Sequence, residues 1–162
     1  MNSIKGKIIN YNESFFGEII FNRNIDKINK IETLNNDVII IPGFIDLHCH
    51  GGNGFDTMEG YSSIKEMSNF HLLHGTTTLL PTTWTSGFDS ILKTLKSIDE
   101  LINDDNNNIE GIHLEGPFIN PNKLGAQPAL TQLPSYDFIE NILKDVDIKI
   151  ITLAPELEGM NE

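Results

Sequence analysis

The chain has 162 residues, 39% of them hydrophobic and 21% charged, a composition that supports one ordinary soluble core. A formal net charge of −12 argues against nucleic acid and anionic membrane surfaces as partners, because neither is attracted to such a field. The one cysteine, Cys49, excludes an internal disulfide. No charged segment leading into an apolar run opens the chain, so a cytoplasmic location is expected.

In chain order, residues 1–41 read as a small β segment, with strands expected at 4–9, 18–21 and 37–41, separated by Asn, Gly and Asp. Residues 42–162 read as a second region in which strands and helices alternate. A strand is expected at 44–49, then a helix capped by Ser62 or Ser63 and running to about His74. A Thr- and Leu-rich strand follows at 76–83. Phe88, Ile91, Leu92, Leu95, Ile98, Leu101 and Ile102 then recur at helical spacing, and the polar run 103–108 ends that helix. A third strand is expected at 109–114, a helix capped by Ser135 with Phe138, Ile139, Ile142, Leu143 and Val146 on one face, and a fourth strand at 148–153. Such alternation specifies an α/β fold with a parallel sheet, and four strands are half of a (β/α)₈ TIM barrel, which typically needs about 250 residues.

Two segments carry chemistry. In Phe44-Ile45-Asp46-Leu47-His48-Cys49-His50-Gly51-Gly52, strand parity puts Phe44, Asp46, His48 and His50 on an inward face. Ile45, Leu47 and Cys49 fall on the face that packs against helices. Two imidazoles two residues apart at a strand's C-terminal end can bind one metal ion, where barrel active sites lie. In Gly111-Ile112-His113-Leu114-Glu115-Gly116-Pro117, Glu115 falls level with that pair, so its carboxylate is a third candidate ligand. His113 sits deeper and reads as a hydrogen-bonded supporting residue. Neither Asp46, low on its strand, nor Asp56, in a Gly-rich loop, is a clear proton-transferring base. The loop Lys123-Leu124-Gly125-Ala126-Gln127-Pro128 offers backbone amides and the Gln127 side chain to a polar ligand.

The runs PGFIDLHCHGGNGFDTME, TTTLLPTTWTS, GIHLEGPFINPNKLGAQPA and TLAPE, in this order, resemble successive blocks of N-acetylglucosamine-6-phosphate deacetylases of the amidohydrolase superfamily. The resemblance is to the N-terminal portion of those enzymes. It implies an incomplete amidohydrolase-type barrel of about four βα strands, preceded by part of a composite β-sandwich. It implies hydrolysis of the N-acetyl group of N-acetylglucosamine 6-phosphate to glucosamine 6-phosphate and acetate, with one or two divalent ions (Zn, Fe or Mn). Glu115 carries over as metal ligand, beside His48 and His50. Gly125, Ala126 and Gln127 carry over as sugar contacts, although Gln127 stands where the family often has His. The further histidines, the catalytic Asp and the phosphate-holding residues of the family fall on later strands, beyond residue 162. The expectation is therefore a fragment with little activity alone, working as a homo-oligomer or with a complementing C-terminal chain. Two other readings stay open: a non-catalytic metal-binding remnant or split-protein subunit, and another amidohydrolase of the cyclic amidase type.

Overall fold

β-Branched residues alternating with polar ones form the first strands of the computed structural model, which describes residues 1–104 and 106–160. The chain divides into two compact units, Met1–Gly43 and Phe44–Glu162. In the first, β1 (Asn2–Ile9), β2 (Ser14–Phe21), β3 (Ile25–Lys30) and β4 (Ile39–Ile40) form one sheet in the order β3-β2-β1-β4. β1 and β2 pair antiparallel from Asn2↔Phe21 to Ile9↔Ser14. Asn10 shapes their turn, its side-chain oxygen accepting the Glu13 N–H at 3.0 Å. Gly6, Ile8, Gly17 and Ile19 lie buried on one face. β3 was not expected from sequence: in Ile-Asp-Lys-Ile-Asn-Lys only two apolar residues mark the strand, and β2 supplies the pairing.

The second unit continues with β5 (Phe44–Cys49), β6 (Gly51–Gly52), β7 (Phe55–Asp56), a 3₁₀ turn at Thr57–Glu59, α1 (Tyr61–Leu73), β8 (Thr76–Pro81), α2 (Phe88–Ile102), β9 (Ile112–Glu115), α3 (Tyr136–Asp145) and β10 (Ile148–Thr152). β5 pairs parallel with β8, and β9 with β10. Parallel bridges Leu79↔Ile109 and Thr82↔His113 join the two pairs, so the strands run β5-β8-β9-β10. Among the described residues the sheet does not close. The alternation of strands and helices is α/β, as the sequence pattern implies.

The core lies between sheet and helices. Ile64 and Met67 of α1, Leu79 of β8, Ile91, Leu95, Ile98 and Leu101 of α2, and Ile112 and Leu114 of β9 are all essentially inaccessible. The four α2 residues are those that helical spacing picked out. Ser135 caps α3 as expected, accepting the Phe138 N–H at 3.2 Å. Ser62 and Ser63 do not cap α1. Gly60 does, with φ 89, while the Ser63 hydroxyl accepts the Asp56 N–H and donates to the Asp56 carbonyl, both at 2.9 Å.

β5 departs furthest from expectation. Ile45 and Leu47 do not pack on helices, being 67% and 49% exposed, and Phe44 is 58% exposed at the edge of a sheet that does not close. The reason is lateral: among the described residues β5 pairs as a strand with β8 alone, and the helices cover β8 and β9 instead. Only Cys49 reaches the core. An irregularity between Asp46 and Cys49 also breaks the parity, and Asp46 leaves the His48–His50 face.

Candidate metal centre

The C-terminal ends of β5 and β9 are both tied to the end of β8. Cys49 N–H donates to the Thr82 hydroxyl at 2.9 Å, and Thr82 N–H donates to the Cys49 carbonyl at 2.8 Å. Thr83 holds β9 in the same way: its hydroxyl accepts the Glu115 N–H and donates to the Glu115 carbonyl, both at 3.1 Å. Two adjacent buried threonines thus set the relative height of the strand bearing the His pair and the strand bearing Glu115.

At that height three side chains converge. His48 Nε2 lies 2.9 Å from His50 Nε2. Glu115 Oε2 lies 2.8 Å from the first and 3.0 Å from the second. The three atoms form a nearly equilateral triangle. All three atoms are within reach of one divalent ion that would be bound at about 2.0–2.2 Å from each. Glu115 Oε2 is buried and, although it lies in contact with the two imidazole nitrogens, has no hydrogen-bond partner. An unsatisfied buried carboxylate oxygen costs stability unless something cationic meets it, and a divalent ion at the triangle supplies that partner.

The imidazole tautomers fit the same account. His50 Nδ1 lies 3.1 Å from the Thr82 carbonyl, which can only accept, so Nδ1 carries the proton and Nε2 turns its lone pair to the triangle. His48 is half open to solvent, whereas His50 and Glu115 retain 19% and 15% side-chain exposure, so the triangle is approached from the His48 side. His113 takes no part. Its Nδ1–H donates to the Leu47 carbonyl at 2.9 Å, and its Nε2 accepts from the Thr152 hydroxyl at 2.8 Å. Burial holds its pKa below the usual value, which keeps the ring neutral and suited to accept at Nε2.

The chain spans about a third of the length of the curated relatives it matches. It is 38% identical to the N-acetylglucosamine-6-phosphate deacetylase of Bacillus subtilis, covering 74% of this chain and 33% of that protein. It is 34% identical to the Danio rerio enzyme of the same name, covering 94% and 39%. The crystal structure of N-acetylglucosamine-6-phosphate deacetylase from Thermotoga maritima superposes with a TM-score of 0.85 at 30% identity, covering 99% of this chain and 44% of that one. This chain is related to the N-acetylglucosamine-6-phosphate deacetylases. No protein-family model matches it.

Of the three sugar-contact residues expected from that resemblance, one lines a cavity of about 380 Å³ that Trp84 also lines. Ala126 lines it. Gln127 Oε1 accepts the Thr85 N–H at 2.7 Å, so the Gln127 oxygen holds its loop against the end of β8. Gly125 adopts φ 60, a turn conformation, and is not a wall of the cavity. Trp84, which no sequence pattern singled out, is the hinge between triangle and cavity. Its ring stacks on His50 at 3.8 Å and 19°, and its Nε1–H donates to Asp56 Oδ2 at 3.3 Å. The other Asp56 oxygen accepts the Met58 N–H at 2.7 Å, so each carboxylate oxygen takes part in a structural hydrogen bond. The only sequence cue to Thr82, Thr83 and Trp84 was their place in the run TTTLLPTTWTS just past a strand. On the other side of β5, burial and then the Asp46 carboxylate push the Cys49 thiol up to about 11.

Proposed function

We propose that this chain carries part of the metal centre of an amide hydrolase that removes the acetyl group from N-acetylglucosamine 6-phosphate, releasing glucosamine 6-phosphate and acetate. The observation that carries the reading is the His48–His50–Glu115 triangle with its unsatisfied carboxylate oxygen. The relatives named above support the substrate. In this reading β5, β8, β9 and β10 are an arc of a (β/α)₈ barrel, with the triangle at the C-terminal ends of the strands, where such barrels work. The first 41 residues are then part of a β-sandwich.

A divalent ion held there, of the zinc, iron or manganese class, lowers the pKa of water and polarises an amide carbonyl. This chain's own residues do the rest of what can be derived. His50 and Glu115 hold their lone pairs fixed, through Thr82 and Thr83. Trp84 walls the cavity next to the triangle with an apolar face, which keeps bulk water from one side. Ala126 and the loop pinned by Gln127 form the opposite wall, where the sugar would lie. The described residues bring no additional carboxylate into the triangle, so the proton-moving group of the reaction belongs elsewhere in the assembled enzyme.

The test is acetate release from N-acetylglucosamine 6-phosphate by the purified chain loaded with Zn²⁺ or Mn²⁺. Slow, metal-dependent release that Glu115→Gln abolishes supports the reading. A chain that does not retain Zn²⁺ or Mn²⁺, or whose metal retention is unchanged in Glu115→Gln, overturns the reading.

A further inference from the structure

Behind the triangle, on the core side of β5, lies a second group of donor atoms that the reaction does not use. Cys49 Sγ is 3.2 Å from His71 Nε2 and 3.4 Å from the Gly51 carbonyl oxygen, and that oxygen is 3.2 Å from His71 Nε2. The Asp46 carboxylate lies within 4.8 Å of both the sulfur and the imidazole nitrogen. Three elements deliver them: β5 brings Asp46 and Cys49, β6 brings Gly51, and α1 brings His71. The His71 ring sits so close to the backbone that a Cβ at Gly52 would lie 2.6 Å from its Nε2, so a side chain there would displace the ring from this position.

We propose that Cys49, His71 and Asp46, with the Gly51 carbonyl, form a second metal site for a zinc-class divalent ion, separate from the His48–His50–Glu115 triangle. The separations suit it. Ligands at about 2.3 Å for sulfur and about 2.1 Å for nitrogen lie roughly 3.1 Å apart at a right angle and 3.6 Å at the tetrahedral angle, and the observed sulfur–nitrogen distance is 3.2 Å. One thiolate, one imidazole and one carboxylate are a donor set that zinc-class ions accept and calcium or magnesium do not. When sulfur binds, the S–H proton leaves to solvent and a metal–sulfur bond takes its place; nothing is oxidised or reduced. The ion would pin the end of β5 to α1, and so stiffen the strand that carries His48 and His50.

Because Cys49 is the one cysteine in the chain, any thiolate–metal signal reports on its sulfur alone. Titrating the metal-free 162-residue chain with Co²⁺ and recording the near-ultraviolet thiolate-to-cobalt charge-transfer band is the test. The band is expected in the unmodified chain, unchanged in His48→Ala, weakened in His71→Gln and absent in Cys49→Ser. If Cys49→Ser fails to fold, the band in the unmodified chain and its survival in His48→Ala still decide the matter. No band at saturating Co²⁺ means a hydrogen-bonded thiol only and overturns the proposal; so does a band lost in His48→Ala, which would assign the sulfur to the triangle. Acetate release plays no part in this readout, so the two proposals fail independently.

Discussion

Replacing His113 by Phe separates a supporting histidine from a ligating one. The ring is 5% exposed and spans from β9 to the Leu47 carbonyl of β5 and the Thr152 hydroxyl of β10, at 2.9 and 2.8 Å. Phe is somewhat larger than His, so no cavity is left and a modest overpacking cost adds to the loss. What is lost is two hydrogen bonds of about 1 kcal/mol each, plus a part of the cost of leaving a partly buried carbonyl and hydroxyl poorly paired, in total roughly 2–3 kcal/mol. Against a typical stability of about 5–15 kcal/mol, that is a visible fraction. Urea unfolding of the metal-free variant should show a lowered midpoint with an unchanged slope. Zn²⁺ affinity measured on the folded fraction should change by less than about tenfold, within the range for an altered supporting residue. A stability loss under about 0.5 kcal/mol, or near-complete loss of metal with stability intact, would refute the assignment and make His113 a ligand.

His50→Ala removes one corner of the triangle and should lower Zn²⁺ affinity by more than about 100-fold in a calorimetric titration, more than a supporting residue costs. Thr82→Val is a shape-conserving change that strips the Cys49 N–H of its acceptor at 2.9 Å and the Leu80 carbonyl of its donor at 3.1 Å; a loss of roughly 1–3 kcal/mol in denaturant unfolding is expected, and the same variant should bind Zn²⁺ about 10- to 100-fold more weakly because β5 loses its tie to β8. Ile98→Ala, at a fully buried position on α2, should cost about 2–5 kcal/mol and leave the metal stoichiometry of the folded fraction unchanged, measured by thermal melts and metal analysis.

Much of the second unit was legible from residue order because its signals are local. α2 follows from apolar residues at helical spacing, and its observed limits, Phe88–Ile102, match that run. Ser135 caps α3 because a side-chain oxygen three residues ahead of an N–H needs no tertiary help. His48 and His50 share a side because strand parity is a property of the backbone. Ser62 and Ser63, by contrast, were plausible caps on composition alone. Gly60 took the role because the Ser63 hydroxyl is drawn to the Asp56 backbone across the 3₁₀ turn, a contact that residue order does not announce.

Residue order by itself determined the alternating strands and helices of the second unit, the two imidazoles on one side at the end of β5 and the carboxylate waiting on β9. Tertiary structure decided what those groups became. Glu115 meets the His pair only because Thr82 and Thr83 bond outward to strands on either side of β8. Which face of β5 is covered also depended on neighbours: Ile45 and Leu47 stay exposed because hydrogen bonding and helices reach only β8 and beyond. Asp46 moved from the triangle to the Cys49–His71 side through one irregularity in pairing, which parity counting cannot foresee. Local preferences act over one turn or one pleat, whereas lateral order, bulges and side chains reaching between strands depend on partners dozens of residues away.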